Sequence, residues 1–290
     1  MIKIKNLSYE YKANLNPVLL DINLSIEEGE YLVLIGANGS GKTTLIRHLN
    51  ALLLPSSGDV EIDGLNSKEV KNHIEIRRKV GMVFQNPENQ IVGMSVEEDV
   101  AFGPGNLKLP SSEVRRRVKQ ALEMVGLSGF EKRVPYTLSG GEKQLLALAG
   151  LLSMEPGYII LDEATSSLDP VGKEKVLAIL DELKNQGIAI IHVTHNMEEA
   201  LRADRVLLMG SGQIIADGAA RDILMNREQL KALGLAPPMI VELMTRLKPY
   251  YKNEKSILTI DEAVNEILTL LQNNDGKDRD YSFREAESYA

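Results

Sequence analysis

Gly36-Ala37-Asn38-Gly39-Ser40-Gly41-Lys42-Thr43-Thr44 decides how this chain is read. It fits G-x-x-x-x-G-K-[ST], with Gly36, Gly41, Lys42 and Thr43 at the required places. The apolar run Tyr31–Ile35 before it has the length of a short strand, and Thr44–Leu53 after it reads as a helix. Small residues between strand and helix let successive backbone N–H groups point at phosphate oxygens, and the helix N-terminus adds a favourable dipole. Lys42 then reaches the β- and γ-phosphates as a point charge, and the Thr43 hydroxyl is positioned for Mg²⁺. The stretch is a nucleotide-binding loop, and its flanks make the fold α/β.

Outward from that loop, composition bounds the rest. A chain of 290 residues can bury a sizeable core and has room for about two domains. Its net charge of −8 does not favour nucleic acid as the default partner. With no cysteine, disulfides, thiol catalysis and cysteine-ligated zinc are excluded. No run approaches the roughly 18 apolar residues of a membrane span, and the alternating Ile2-Lys3-Ile4-Lys5 carries no signal-peptide core. A membrane role therefore has to come through a partner.

Before the loop the pattern is β: Ile2–Leu7 alternates, as do Leu24 and Ile26, and the stretch 13–17 reads as a hairpin loop. After it, Pro55–Gly58 turns the chain into a strand at Asp59–Ile62. Val80–Phe84 is another, ending at Gln85 before the breaker Asn86-Pro87. From about 88 to 156 the pattern is helical. Ser95 with Glu98 spells a capping box, Val114 to Val125 share one face, Gly126 is a C-terminal stop, and Leu145–Leu152 is apolar nearly all round. Strand character returns at Tyr158–Leu161 and Ile188–Val193, continuous apolar runs of the kind buried on both faces of a parallel sheet. Between them a helix opens at Asp169 and Pro170, and Arg205–Met209 with Gln213–Ala216 reads as a closing hairpin. Two helical stripes follow, Ile240-Leu243-Met244-Leu247 and Ile260 to Leu271, the second capped by Thr259 with Glu262. The polar, charged stretch 273–290 is expected to be disordered.

Chemistry is concentrated at strand ends. Tyr158–Leu161 runs straight into Asp162-Glu163, and ligands of parallel sheets sit at the carboxyl ends of the strands. Asp162 is the candidate for holding Mg²⁺, and Glu163 for orienting and deprotonating an attacking water. Leu138-Ser139-Gly140-Gly141-Glu142 is locally a capping box. Two consecutive glycines in a first turn, however, cost about 1 kcal/mol each against alanine, so the sequence predicts close approach of a group to bare N–H donors.

Leu-Ser-Gly-Gly-Glu just upstream of the second carboxylate motif resembles the signature of ATP-binding-cassette (ABC) ATPases, over about residues 1–225. The resemblance implies a P-loop NTPase with a RecA-like parallel sheet core, an N-terminal antiparallel β subdomain, a helical signature subdomain at about 88–156 and a small helical C-terminal extension. That extension, 226–272, is expected as a dimer contact. In such ATPases each ATP lies between the phosphate loop (Gly36, Ala37, Asn38, Gly39, Ser40, Gly41, Lys42, Thr43, Thr44) of one subunit and the signature (Ser139, Gly140, Gly141, Glu142) of another. Gln85 is similar to the Q-loop glutamine, facing Mg²⁺ and the attacking water, and His195 to the switch histidine. Asp169 corresponds to the D-loop. Tyr11 matches the aromatic that stacks on adenine, with Tyr9 a competing candidate.

Gln85–Pro104 looks finer still like the ATPase of energy-coupling-factor (ECF) importers, the CbiO-like group, and Leu161–Pro170 is similar to the first of their two ATPase types. That group implies a peripheral protein on the cytoplasmic face of the membrane, using ATP with Mg²⁺. It implies a second ATPase subunit, identical or different, a transmembrane T component docking near Gln85–Ile91, and an S component that captures a vitamin or a transition-metal ion. Glu142 stands where Gln is commoner and Leu145 where many relatives have Arg, but the acids, Lys42 and His195 are all present. One hydrolysis-competent half-site is expected. Rival readings are an importer ATPase of another subclass, or a soluble ABC protein acting on nucleic acid or ribosomes. The chain has none of the coiled-coil insertions, zinc cysteines or second cassette that mark the latter.

Overall fold

The computed structural model describes residues 1–11, 17–250 and 257–274. The chain begins with β1 (Ile2–Tyr9), β2 (Leu19–Ile26) and β3 (Tyr31–Gly36), then α1 (Lys42–Leu49), β4 (Ser57–Ile62) and β5 (Leu65–Asn66). Next come α2 (His73–Lys79) and β6 (Val80–Val83), followed by α3 (Val96–Asn106), α4 (Ser111–Val125) and α5 (Gly140–Leu152). The second half runs β7 (Tyr158–Asp162), α6 (Pro170–Asn185), β8 (Ala189–Val193), α7 (Met197–Ala200), β9 (Arg205–Gly210) and β10 (Gln213–Ala219). It closes with α8 (Ala220–Met225), α9 (Arg227–Ala232), α10 (Met239–Leu247) and α11 (Ile260–Asn274).

These strands make two sheets. One is antiparallel, in the order β2-β1-β4-β5, and the alternation of Ile2, Ile4 and Leu7 puts its apolar side inward. The other has six strands in the order β10-β9-β3-β8-β7-β6, parallel except for the β9–β10 hairpin. All residues of β3, β7 and β8 are buried, as their unbroken apolar runs require of strands covered on both faces. Helix α1 packs against β3 and β7 of the parallel sheet and against β4 of the other. One apolar cluster therefore runs through Ile4, Leu24, Leu45, Ile46, Val60, Ile160 and Ile191. Burying Leu45 and Ile46 against both sheets fixes the helix that the phosphate loop feeds, and each such side chain contributes roughly 1.5–3 kcal/mol.

Helix α1 stops at Leu49, short of the Leu53 its apolar pattern reaches, because Ala51 takes a left-handed conformation (φ 54°). Helices α3, α4 and α5 pack on one another as a helical lobe inserted between β6 and β7. Gly126 ends α4 in the left-handed region (φ 67°), its N–H donating back to Glu123 and Leu122. At α3 the Ser95 hydroxyl accepts from Glu98 N–H as expected, but the Glu98 carboxylate reaches the Met94 N–H, so the box is not closed reciprocally.

The chain divides into two compact units between Ala236 and Pro237. The first therefore includes 226–236, since Leu230 of α9 is fully buried and Leu233 packs over Gly210. In the second, Met244, Ile257 and Ala263 form a small core flanked by Ile240, Leu247 and Ile267, while Leu243, Ile260, Val264, Leu268 and Leu271 stay exposed. Thr259 and Glu262 cap α11 reciprocally. The expected hairpin loop at 13–17, apart from Pro17, and the expected tail from 275 onward lie outside the described residues.

Candidate active site

The phosphate loop leaves β3 at Gly36 and enters α1 at Lys42. Gly36 has no room for a side chain: a Cβ there would lie 2.4 Å from the Met209 carbonyl and 2.7 Å from Ser40 Oγ. Gly39 and Gly41 are left-handed, at φ 77° and 103°. The β9–β10 turn braces the loop, with Gly212 N–H donating to the Ser40 carbonyl at 3.0 Å. The tips at Ala37, Asn38 and Gly39 are exposed, while Ser40, Gly41, Lys42 and Thr44 are buried. Lys42 Nζ donates to the Gly36 and Ala37 carbonyls at 2.8 and 3.0 Å, so it is held across the mouth of its own loop. Burial lowers its pKa, opposed by the charges of Glu163 and Asp162. Tyr11 reaches the Thr44 hydroxyl at 3.3 Å and meets Tyr9 edge-on, whereas Tyr9 packs on the core and edge-on to His48.

Asp162, the last residue of β7, accepts from the Thr43 hydroxyl at 3.1 Å. Burial raises its pKa, the Thr43 hydrogen bond counteracts this, and the Glu163 charge raises it further. Strand alternation alone would send Asp162 and Glu163 to opposite faces. Glu163 instead adopts a left-handed backbone (φ 53°), and its carboxylate accepts from Gln85 Nε2 at 3.2 Å and lies 2.5 Å from His195 Nε2. The geometry thus gathers Thr43 with Asp162, and Gln85 with Glu163 and His195, from four strand ends. Oxygen ligands alone at Thr43 and Asp162 suit Mg²⁺, which takes one or two carboxylates plus phosphate oxygens rather than an all-protein cage; among the described residues no cluster of metal-binding side chains exists that would serve another ion.

Ser139 caps α5 with a reciprocal capping box to Glu142, at 2.7 and 3.3 Å. These hydrogen bonds stay within the turn, and none links Ser139–Glu142 to the phosphate loop among the described residues. Lys143 pairs with Glu88, tying the same helix to the segment after Gln85. Asp169 caps α6 by accepting from Gly172 N–H at 2.6 Å. Leu145, placed where many relatives carry Arg, is buried within α5.

Sequence reasoning missed two supports. Gln90 accepts from Phe84 N–H and donates to the Met82 carbonyl, stapling the loop that carries Gln85 to its own strand. Glu199 on α7 is 2 % exposed and joins Thr165, Lys173, Thr194 and His192. Its partners are scattered along the chain, so no local spacing announced them.

A glycine-rich loop on a central parallel strand, facing a carboxylate at the end of the strand one place beyond its neighbour in the same sheet, defines a P-loop nucleotide triphosphatase. The ABC transporter family model matches residues 19–166. The chain is 50% identical over 268 residues to the cobalt import ATP-binding protein CbiO of Syntrophus aciditrophicus, covering 92% of this chain and 96% of that protein. It is 45% identical over 269 residues to the energy-coupling factor transporter ATP-binding protein EcfA1 of Caldanaerobacter subterraneus subsp. tengcongensis, covering 91% and 97%. Among solved structures, CbiO1 of Clostridium perfringens, part of the CbiONQ complex, superposes with a TM-score of 0.73 at 37% identity over 84% of this chain and 98% of that one. The dimeric cassette MJ0796 bound to ADP and phosphate gives 0.70 at 31% identity, over 76% and 99%. The chain belongs to the ABC transporter family, as an ATP-hydrolysing subunit of its energy-coupling-factor, CbiO-like branch.

Proposed function

We propose that this chain binds ATP with Mg²⁺ at Gly36–Thr44 and hydrolyses it only when the Ser139–Glu142 turn of a second ATPase subunit covers the phosphates. The observation that carries this is the emptiness around the signature glycines. A Cβ at Gly140 would meet nothing within 4 Å, and at Gly141 only Leu168 at 3.6 Å. Nothing inside the chain requires glycine there, yet both N–H groups sit in a first helical turn with no carbonyl to donate to. A group from outside the chain that needs donors and close approach accounts for both, and a γ-phosphate has that chemistry.

In the mechanism, Lys42 and the loop N–H groups hold the phosphates, and Thr43 and Asp162 are the residues that would hold Mg²⁺. The ion, when bound, neutralises charge building on the phosphate oxygens. Glu163 takes the proton of the attacking water, Gln85 and His195 fix its carboxylate, and Asp169 lies on the segment joining this site to its twin. Tyr11, free of the core, stacks on adenine. Catalysis rests on positioning and charge stabilisation, with no covalent intermediate.

The carboxyl-edge site works for a membrane partner. No helix among the described residues is long and apolar enough to cross a bilayer; the transporter role of the relatives supports a peripheral place on the cytoplasmic face, bound to a T component with an S component that selects the cargo. Relatives named for cobalt import and for energy-coupling factors support a transition-metal ion or a vitamin as that cargo. The 226–272 extension contributes a dimer contact. Affinity purification of the tagged chain from detergent-solubilised membranes tests the assignment. Recovery with a polytopic membrane protein and at most one further ATPase is expected, and recovery with ribosomes or DNA instead would refute it.

A further inference from the structure

Glu199 has no part in the chemistry above, yet it is the most heavily bonded buried carboxylate near it. Its Oε1 accepts from Thr165 Oγ1 at 2.9 Å and lies 2.6 Å from Lys173 Nζ. Its Oε2 accepts from Thr194 Oγ1, with His192 Nε2 at 3.4 Å. The donors come from the segments that carry the reactive groups. Thr165 follows Glu163 by two positions, and its carbonyl accepts from Leu168 N–H, closing the turn that leads to Asp169. Lys173 lies in the first turn of α6, its N–H bonded to the Asp169 carbonyl. Thr194 directly precedes His195, and its hydroxyl also accepts from Asn196 N–H at 3.0 Å.

A buried ion pair is poor evidence of stabilisation, because well-packed apolar residues of the same volume serve as well or better. What a carboxylate does that a leucine cannot is fix donors from separate segments at hydrogen-bond distance from a common point. Here that point lies between the turn after Glu163 and the residue before His195, the two groups that stand 2.5 Å apart in the site. We propose that Glu199 is a positioning residue for hydrolysis, holding the Glu163–Asp169 turn and the Thr194–His195 segment in register through Thr165, Lys173 and Thr194. It touches neither nucleotide nor water. The proposal rests on the reading that Glu163 and His195 carry the reaction.

The test is steady-state ATP hydrolysis by the full-length chain carrying Glu199→Gln, which keeps volume but puts an amide donor against donors. Misplacement by about 1 Å costs on the order of 100-fold, so kcat should fall about 10- to 100-fold while KM for ATP stays within about threefold. Wild-type kcat, or an equal loss spread over kcat and KM, would overturn the proposal. Should Glu199→Gln fail to fold, the milder pair Thr165→Val and Thr194→Val gives the same answer. Each cuts one arm of the same link, so the double variant should lose little more than the worse single one, a non-additivity that independent structural damage does not give. Multiplicative losses would refute it. Glu163→Gln, run alongside, separates the layers. If it turns over normally, the base assignment fails; if it is inactive while Glu199→Gln and both threonine variants are normal, the positioning role fails.

Discussion

Glu163 stores backbone strain at the position we assign to the base, and this makes an unusual ordering of variants. Its φ of 53° is left-handed, which costs an L-residue roughly 1–2 kcal/mol and glycine nothing comparable. Glycine gives back about 0.5–1 kcal/mol through the greater freedom of its unfolded chain. Glu163→Ala and Glu163→Gly lose the same contacts to Gln85 and His195, so their difference isolates the backbone. The glycine variant should be the more stable by about 0.5–1 kcal/mol, or about 1–3 °C in melting temperature for a chain of this size. At exposed Glu182, inside α6, the order should reverse, with alanine ahead by about 1 kcal/mol. Differential scanning calorimetry of the four variants without nucleotide reads both comparisons. Equal melting of the two Glu163 variants, or alanine ahead, would refute the strain. All substitutions of Glu163, Gln included, should lower kcat by about 10²–10⁴, the usual contribution of a general base, while Glu163→Gln keeps ATP affinity. Wild-type turnover in Glu163→Gln would remove the base from this residue.

Three other outcomes follow from the same site. Lys42→Ala should lose roughly 2–4 kcal/mol of transition-state stabilisation on the scale of other anion-binding donors, and unchanged kcat/KM in phosphate-release assays would contradict its role. Gly36→Ala drives a Cβ against the Met209 carbonyl, a backbone atom that cannot turn aside; a loss of about 1–3 kcal/mol of stability, with weaker nucleotide binding by calorimetry, is expected, and a neutral result would show that the loop is not braced there. Burial lowers His192 to a pKa of about 4, Glu199 opposing and Lys173 adding to the shift. The folded state thus binds fewer protons than the unfolded one between pH 6.5 and 4. Stability from this group is complete above pH 6.5 and falls as pH drops through 4, by roughly 3 kcal/mol. Denaturant midpoints of His192→Gln should be flatter with pH across that window, and an identical slope would rule the group out.

The parts of the site that were legible in sequence are those whose chemistry is local. Gly36 to Thr43 must be adjacent to wrap a phosphate, and Asp162 must follow an apolar run to emerge at a strand end. The buried strands were legible for a related reason, since only residues covered on both faces can be apolar without alternation. What was not legible is geometry set by tertiary packing. Alternation along β7 gives no hint that Glu163 turns left-handed to join Gln85 and His195. The Glu199 donors arise from two turns, a helix and a strand, and Gln90 looks like any polar loop residue. The left-handed turn at Ala51 cut α1 short against its own apolar pattern, and burial of Leu230 moved the unit boundary past α9, because packing overrode local preference at both places.

The strand that bears the phosphate loop also imposes an order of events on the ribosome. Tyr31 pairs with Ile190 and Leu32 with Arg205, so both neighbours of β3 are synthesised more than 150 residues after it. At ~5–20 residues per second, the wait between them is about 10–30 s. Through that interval Tyr31–Ile35, with every residue apolar, has no sheet to enter. The antiparallel strands β1, β2 and β4 are complete much earlier and, with α1, offer it cover. The order in which the chain lays down its elements thus protects the strand that will carry the nucleotide until β8 and β9 arrive to enclose it.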